Sequence, residues 1–249
     1  MTRRTVSRSP LIVLIILSMV VLLLGCVKGN GTRVYVANEG DGTISVIDAN
    51  SLRVINTIQL AGKPHNVNVD PLGKYFYATN HEGEVEEEHD VHAGHVPYLR
   101  IFDARDGSLL ASLPMEDMAA HVVPSKDGKK AYVSREGGNS VVEVDVEQRA
   151  ITRMFLVGEG PHGFVLSHDG QTLYVPNMKS HDVSIVDLST GKEKRIELSY
   201  EGNTCETPVA MGITADDAFA FVTCGKSFEV YNVDTVQQKV VDRLQLNEG

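Results

Sequence analysis

The sequence predicts an all-β protein, a β-propeller of four-stranded antiparallel blades in about five repeats, and two observations predict it. From Gly31 onward one pattern keeps returning: VYVANEGDGTISVID (34–48), FYATN (76–80) with LRIFD (99–103), AYVSREGGNSVVEVD (131–145), LYVPNMKSHDVSIVD (173–187) and FVTCGKSFEVYNVD (221–234). Its aromatic residues Tyr35, Tyr77, Tyr132, Tyr174 and Phe221 are spaced 42, 55, 42 and 47 apart, and self-similarity at about 40–45 residues is the length of a propeller blade. The second observation is period. Inside each unit apolar and polar residues alternate, as in TISVID and RVINTIQL, which is the two-residue period of a strand with one face buried.

The strands of one unit follow in order. A short inner strand opens it, in PHNVNVDPLGK (64–74), AHVVPSKDGK (120–129), PHGFVLSHDGQ (161–171) and PVAMGITADDA (208–218). Three of these turn through Gly73, Gly128 or Gly170, as a tight hairpin that needs positive φ demands. The aromatic strand comes next, then a strand ending in Asp48, Asp103, Asp145, Asp187 or Asp234, then an outer strand. The aspartates recur with the repeat, so turn capping explains them better than acid–base chemistry. Five aromatic, five Asp and five outer strands are expected against four inner ones. The unit count therefore describes a small ring with an imperfect closing blade, or an incomplete or open arc. An open arc leaves sheet edges and apolar faces bare, which implies self-association or a protein partner.

Residues 1–25 are set apart as a secretory signal. Arg3, Arg4 and Arg8 precede the fourteen-residue apolar run 11–24, too short for a transmembrane helix of about 20 residues and of the length of a signal core. The run closes in LLGC, which resembles the lipobox of bacterial lipoproteins. That resemblance makes Cys26 the lipidated residue, with 26–33 as a short tether before the propeller domain, 34–249; an uncleaved signal anchor is the alternative. Both place the chain outside the cytoplasm, held to a membrane in the cell envelope or periplasm. Without the three leader arginines the balance is 33 acids to 20 bases. Such an excess disfavours nucleic acid, whose phosphates call for a basic face.

The motifs YVAN, YATN, YVSR and YVPN, each followed by an ISVID-like strand and set beside PHG-type hairpins, resemble YVTN-repeat β-propellers. These are relatives of surface-layer propellers, of lactonase-like propellers and of the d1-haem domain of nitrite reductases. The resemblance implies the fold across the mature chain, and relatives of this kind usually carry more blades. It leaves function open, because propellers host many activities.

Three groups of residues carry candidate chemistry. The first is NHEGEVEEEHDVHAGHVP (80–97), an insertion that accounts for the long 55-residue interval. His89, His92 and His95 with Glu88 suit Zn, Cu or Ni, and a solvated loop is the other reading. The second is the start of the inner strands, which lines a propeller's channel mouth. His65 and His162 occupy equivalent positions there; His121 stands one residue later, a shift that turns it to the other face unless a bulge corrects it. The fifth unit has Val209 in that place. These histidines read either as structural or, through the d1-haem resemblance, as cofactor ligands. The third is the pair Cys205 and Cys224, read as a disulfide in an oxidising compartment, with copper or redox use as the alternative.

The sequence holds no G-x-S-x-G elbow, no H-E-x-x-H pair and no glycine-rich loop leading into a helix, so it carries none of the usual marks of a hydrolase or phosphate site. The reading is a membrane-tethered, non-catalytic scaffold that binds a protein, glycan or metal-bearing partner. A redox or cofactor-handling module related to the d1-haem propellers, using His65, His162 and the histidine-rich loop, is the alternative, and a lactonase-like hydrolase ranks last. The lipoprotein expectation is checked by Cys26→Ser: the variant should lose lipid labelling, and normal labelling contradicts it.

Overall fold

The computed structural model describes residues 31–80 and 96–246, and these form strands, turns and no helix. The first sheet has three strands, β1 (Arg33–Asn38), β2 (Thr43–Asp48) and β3 (Arg53–Gln59). Four four-stranded sheets follow. The second contains β4 (Pro64–Val69), β5 (Tyr75–Asn80), β6 (Tyr98–Asp103) and β7 (Leu109–Pro114). The third contains β8 (Ala119–Pro124), β9 (Lys130–Arg135), β10 (Ser140–Asp145) and β11 (Ala150–Leu156). The fourth contains β12 (Val165–Leu166), β13 (Thr172–Asn177), β14 (Asp182–Asp187) and β15 (Glu193–Glu197). A two-stranded ribbon, β16 (Ser199–Tyr200) and β17 (Asn203–Thr204), leads into the fifth: β18 (Pro208–Ile213), β19 (Phe219–Cys224), β20 (Glu229–Asp234) and β21 (Lys239–Gln245). Strands pair antiparallel with their sequence neighbours throughout, so this is the propeller architecture; among the described residues the first sheet has no inner strand.

The core is a series of layers between successive sheets rather than one central mass. Ile44 and Leu60 of the first sheet meet Phe76, Ala78 and Phe102 of the second. Tyr77, Leu99 and Ile101 on the opposite face of the second meet Val122, Val133, Val142 and Val144 of the third. Tyr132 and Val141 then pack on Leu173, Val175 and Val186 of the fourth, and Tyr174, Val183 and Ile185 on Val222, Tyr231 and Val233 of the fifth. Alternation along each strand causes this, since neighbours such as Phe76 and Tyr77 serve opposite layers. Middle sheets are covered on both faces. At the two ends the outer faces carry exposed Val34 and Val36 on β1, and exposed Phe219 and Phe221 on β19.

Turns between strands follow the repeat. Gly73, Gly128 and Gly170 have φ of 65°, 66° and 73°, and in the fifth sheet Asp217 takes the same left-handed conformation at 58°. Each strand-end aspartate accepts backbone N–H bonds from its own turn: Asp48 from Asn50 and Ser51, Asp103 from Arg105, Asp145 from Gln148, Asp187 from Thr190 and Asp234 from Gln237. The Arg105 side chain and N–H hold the Asp103 carboxyl down at about 2, and the Ser189 hydroxyl with the Thr190 N–H does the same for Asp187. Capping is thus the work these carboxylates do.

The last residue of the aromatic motif ties the inner end of each sheet. Asn38 donates to Thr43 Oγ1 and Ser45 Oγ at 3.0 and 2.8 Å, and Asn177 to Asp182 Oδ1 and Ser184 Oγ at 2.6 and 2.9 Å. Asn80 accepts from the Tyr98 N–H. Where the motif ends in arginine, Arg135 is buried and paired with Asp117 at 2.8 Å. Where it ends in cysteine, Cys224 forms a disulfide with Cys205, 19 residues back.

The aromatic layer between the first two sheets gives a direct test of the packing. Phe76 and Phe102 are both buried and stacked with centroids 4.6 Å apart. Phe102→Ala is expected to lower unfolding free energy by about 3–5 kcal/mol in urea denaturation; a loss under about 1 kcal/mol would mean the layer is not packed as described.

Candidate functional site

The four inner strands share one irregularity. Pro64 pairs with Asn80 and Asn66 with Thr79, so His65 is an extra residue in the ladder. Pro208 pairs with Cys224 and Ala210 with Thr223, which leaves Val209 extra in the same way. Pro161 bridges Asn177, and pairing resumes at Val165 with Tyr174, again one residue out of step. In β8 the ladder slips between Ala119, opposite Arg135, and Val122, opposite Val133, so Ala120 and His121 together face Ser134. The His121 N–H donates to the Ser134 hydroxyl at 3.0 Å. A bulge re-aims the side chain it carries, and here it overcomes the one-residue offset of His121.

The outcome is a cluster. His65, His121 and His162, from three successive sheets, each offer a ring nitrogen, and these atoms all lie within 4.8 Å of one another. Nε2 of His65 is 3.3 Å from Nε2 of His162. Ring centroids are separated by 5.5 Å (65–121), 5.3 Å (65–162) and 4.7 Å (121–162), all edge to face. All three side chains are half-buried. Two nitrogens bound to one tetrahedral ion at about 2.0–2.1 Å lie about 3.3–3.4 Å apart, which is the separation His65 and His162 already have.

His162 is held from behind. Its Nδ1 lies 3.0 Å from the Val209 carbonyl oxygen, and a neutral ring placed there donates from Nδ1 and keeps the Nε2 lone pair for the cluster. Burial pulls His162 below the ordinary imidazole range; the Val209 carbonyl acts in the opposite sense, and neighbouring His65 lowers it further. The same carbonyl accepts the Gly163 N–H at 2.9 Å. A Cβ on Gly163 would sit 3.0 Å from that oxygen, so the glycine of PHG is what lets the fourth sheet approach the fifth this closely. Behind His65, Glu39 Oε1 stands 3.8 Å from Nδ1. That is beyond hydrogen-bond length and in place to receive an Nδ1 proton when Nε2 is ligated.

The sequence singled out His65, His162 and His121, and the structure brings all three together. His89, His92, His95, Glu88 and Cys26 lie outside the described residues. Glu39 and Val209 were missed as supporting groups. Glu39 had a signal, since it directly follows the motif end Asn38, as Glu136 follows Arg135, at the end of the sheet where inner strands begin. A cleft lined by Arg33, Tyr35, Ile55 and Asp106 lies elsewhere, between the first two sheets, and shares none of the three histidines.

Comparison with known proteins agrees with this fold. Residues 103–211, which include His121 and His162, match the family model described as lactonase, 7-bladed β-propeller. The uncharacterized protein YncE of Salmonella typhi is 26% identical over 148 residues, covering 57% of this chain and 38% of that protein; YncE of Salmonella typhimurium matches to the same extent. The chain thus spans less than two fifths of the length of these curated relatives. Among solved structures, hydrazine synthase of Kuenenia stuttgartiensis superposes with a TM-score of 0.70 at 21% identity, covering 88% of this chain and 64% of that one. A functionally unknown protein from Desulfotomaculum acetoxidans follows at 0.67 and 13%, covering 87% and 68%. These structural likenesses share the fold alone. The chain is a β-propeller, and the matches fit the YVTN-like propeller family that its repeats resemble.

Proposed function

We propose that this protein is a membrane-tethered, extracytoplasmic β-propeller that acts as a non-catalytic binding scaffold, with a transition-metal ion held by His65, His121 and His162 at its inner face. The observation that carries the reading is the convergence of three imidazoles from three sheets to within 4.8 Å. Imidazole donors suit Zn, Cu or Ni; Ca and Mg call for oxygen. The disulfide between Cys205 and Cys224 supports an oxidising compartment, and the lipobox-like LLGC supports the tether. Exposed Val34, Val36, Phe219 and Phe221 on the end faces support a protein partner or self-association.

The haem reading fits less well. A haem takes one or two axial ligands on a broad open plane, whereas here the rings of His65, His121 and His162 close edge to face on one another. A lactonase-like hydrolase ranks last, because the sequence holds no G-x-S-x-G elbow and no H-E-x-x-H pair. Binding of the separate loop at 80–97 through His89, His92 and His95 is an independent proposal.

Isothermal calorimetry with Zn²⁺ or Cu²⁺ tests the scaffold reading. At pH 7.5 the variant His65→Ala/His121→Ala/His162→Ala is expected to bind one equivalent less than the parent chain. A chain lacking residues 84–95 should keep that equivalent. Lowering the pH to 5.5 should weaken it, because protons then compete with the metal for the same ring nitrogens. Equal stoichiometry and affinity for parent and triple variant would contradict the proposal.

A further inference from the structure

Two arginines are buried, and they differ in one respect. Arg135 is 7% exposed and lies against Glu116 and Asp117, at 3.3 and 2.8 Å. Arg100, the third residue of β6, is 8% exposed. Among the described residues it forms no ion pair, and its Nη1 is enclosed with no hydrogen-bond partner. Burial pulls Arg100 below the ordinary guanidinium range, and only Tyr98 acts in the opposite sense. The corresponding residues of β2 and β14 are Ser45 and Ser184, each accepting from the asparagine that ends the aromatic motif. An arginine cannot accept, and it keeps its charge. Burying a charge without a partner is costly.

We infer that Arg100 is the anchor of a binding site for a small monocarboxylate, a site that stands on observations separate from the histidine cluster. Leu99 and Ile101 face the third sheet and Phe102 the first, so by alternation Arg100 shares the face of Phe102. Its ladder partners are Ala78 and Ser112. The guanidinium carbon lies 5.6 Å from the Tyr98 ring centroid, so the head leans toward the start of β6, where Tyr98 is half-buried and gives a route from solvent. The planar fork of a guanidinium matches the two oxygens of a carboxylate. One guanidinium compensates one negative charge. A dianion would bring a second, uncompensated charge beside Ala78 and Phe102, which are buried and apolar, whereas the carbon end of a monocarboxylate suits those walls.

Sodium butyrate is the probe, with sodium chloride at equal ionic strength as the control. The full chain and Arg100→Met are compared by saturation-transfer NMR on the butyrate signals and by thermal unfolding followed with circular dichroism. The parent should bind butyrate saturably, and the variant at least about ten-fold more weakly, the loss expected of a charge-assisted contact. Butyrate at several times its dissociation constant should raise the parent's unfolding midpoint by about 2–4 °C and leave the variant's unchanged. In butyrate-free buffer the variant should be at least as stable as the parent, because methionine fills similar space without a charge to desolvate. Equal binding by both chains would mean an adventitious additive only and overturn the proposal. So would a parent that binds no butyrate. A variant clearly less stable than the parent without butyrate would overturn it too, since the guanidinium would then already be compensated within the chain.

Discussion

The site depends on one extra residue in each inner strand. A strand in perfect register presents alternate side chains to opposite layers, and in a propeller both layers are filled by the neighbouring sheets. No regular strand can therefore point a histidine along the sheet edge and toward its counterparts. The bulge opposite the end of the aromatic strand removes one residue from the ladder: His65 in β4, Val209 in β18, and one of the three residues 162–164 that begin with His162 in the fourth sheet. In β8 the slip involves two residues, which is how His121 reaches the same place from a position one later in the repeat. Bulges are usually retained where they re-aim a side chain, and here three successive sheets use one to that end.

Holding the bulges in place falls to the motif's last residue, which pairs with the residue just before the slip: Asn80 with Pro64, Arg135 with Ala119, Asn177 with Pro161 and Cys224 with Pro208. The repeat keeps the task and changes the chemistry, from an amide bridging hydroxyls and a carboxylate, to a buried guanidinium paired with Asp117, to a disulfide. Buried polar groups are costly when unpaired, so each substitution arrives with its partner. A position that reads as degenerate, Asn, Arg or Cys, keeps one structural task across the sheets.

Much of the fold was legible because its signals are local. Strand period, the glycines of the hairpins and the aspartates that cap each turn all act within a few residues, and the strand count of five aromatic, five Asp, five outer and four inner matches the sheets. The candidate site was legible only in part. His65 and His162 share a position after proline, and repeat alignment finds them; the convergence of His121 required knowing that β8 slips across two residues, which no local pattern in AAHVVP announces. The Val209 carbonyl was invisible for a different reason. Backbone acceptors carry no residue signature, and only the close approach permitted by Gly163 brings this one to His162 Nδ1. Glu39 lies some way back along the chain, in the turn after β1, and meets His65 because two sheets pack side by side.

The proposed function stands or falls on whether three bulged strands build one metal centre, and X-ray absorption at the zinc K edge of the loaded full chain reads this out. Three histidine ligands predict nitrogen or oxygen scatterers at about 2.0–2.1 Å, with the outer-shell pattern of about three imidazoles, and loss of that imidazole pattern in the variant carrying alanine at 65, 121 and 162. A spectrum without imidazole scattering, or one unchanged in the variant, would contradict it.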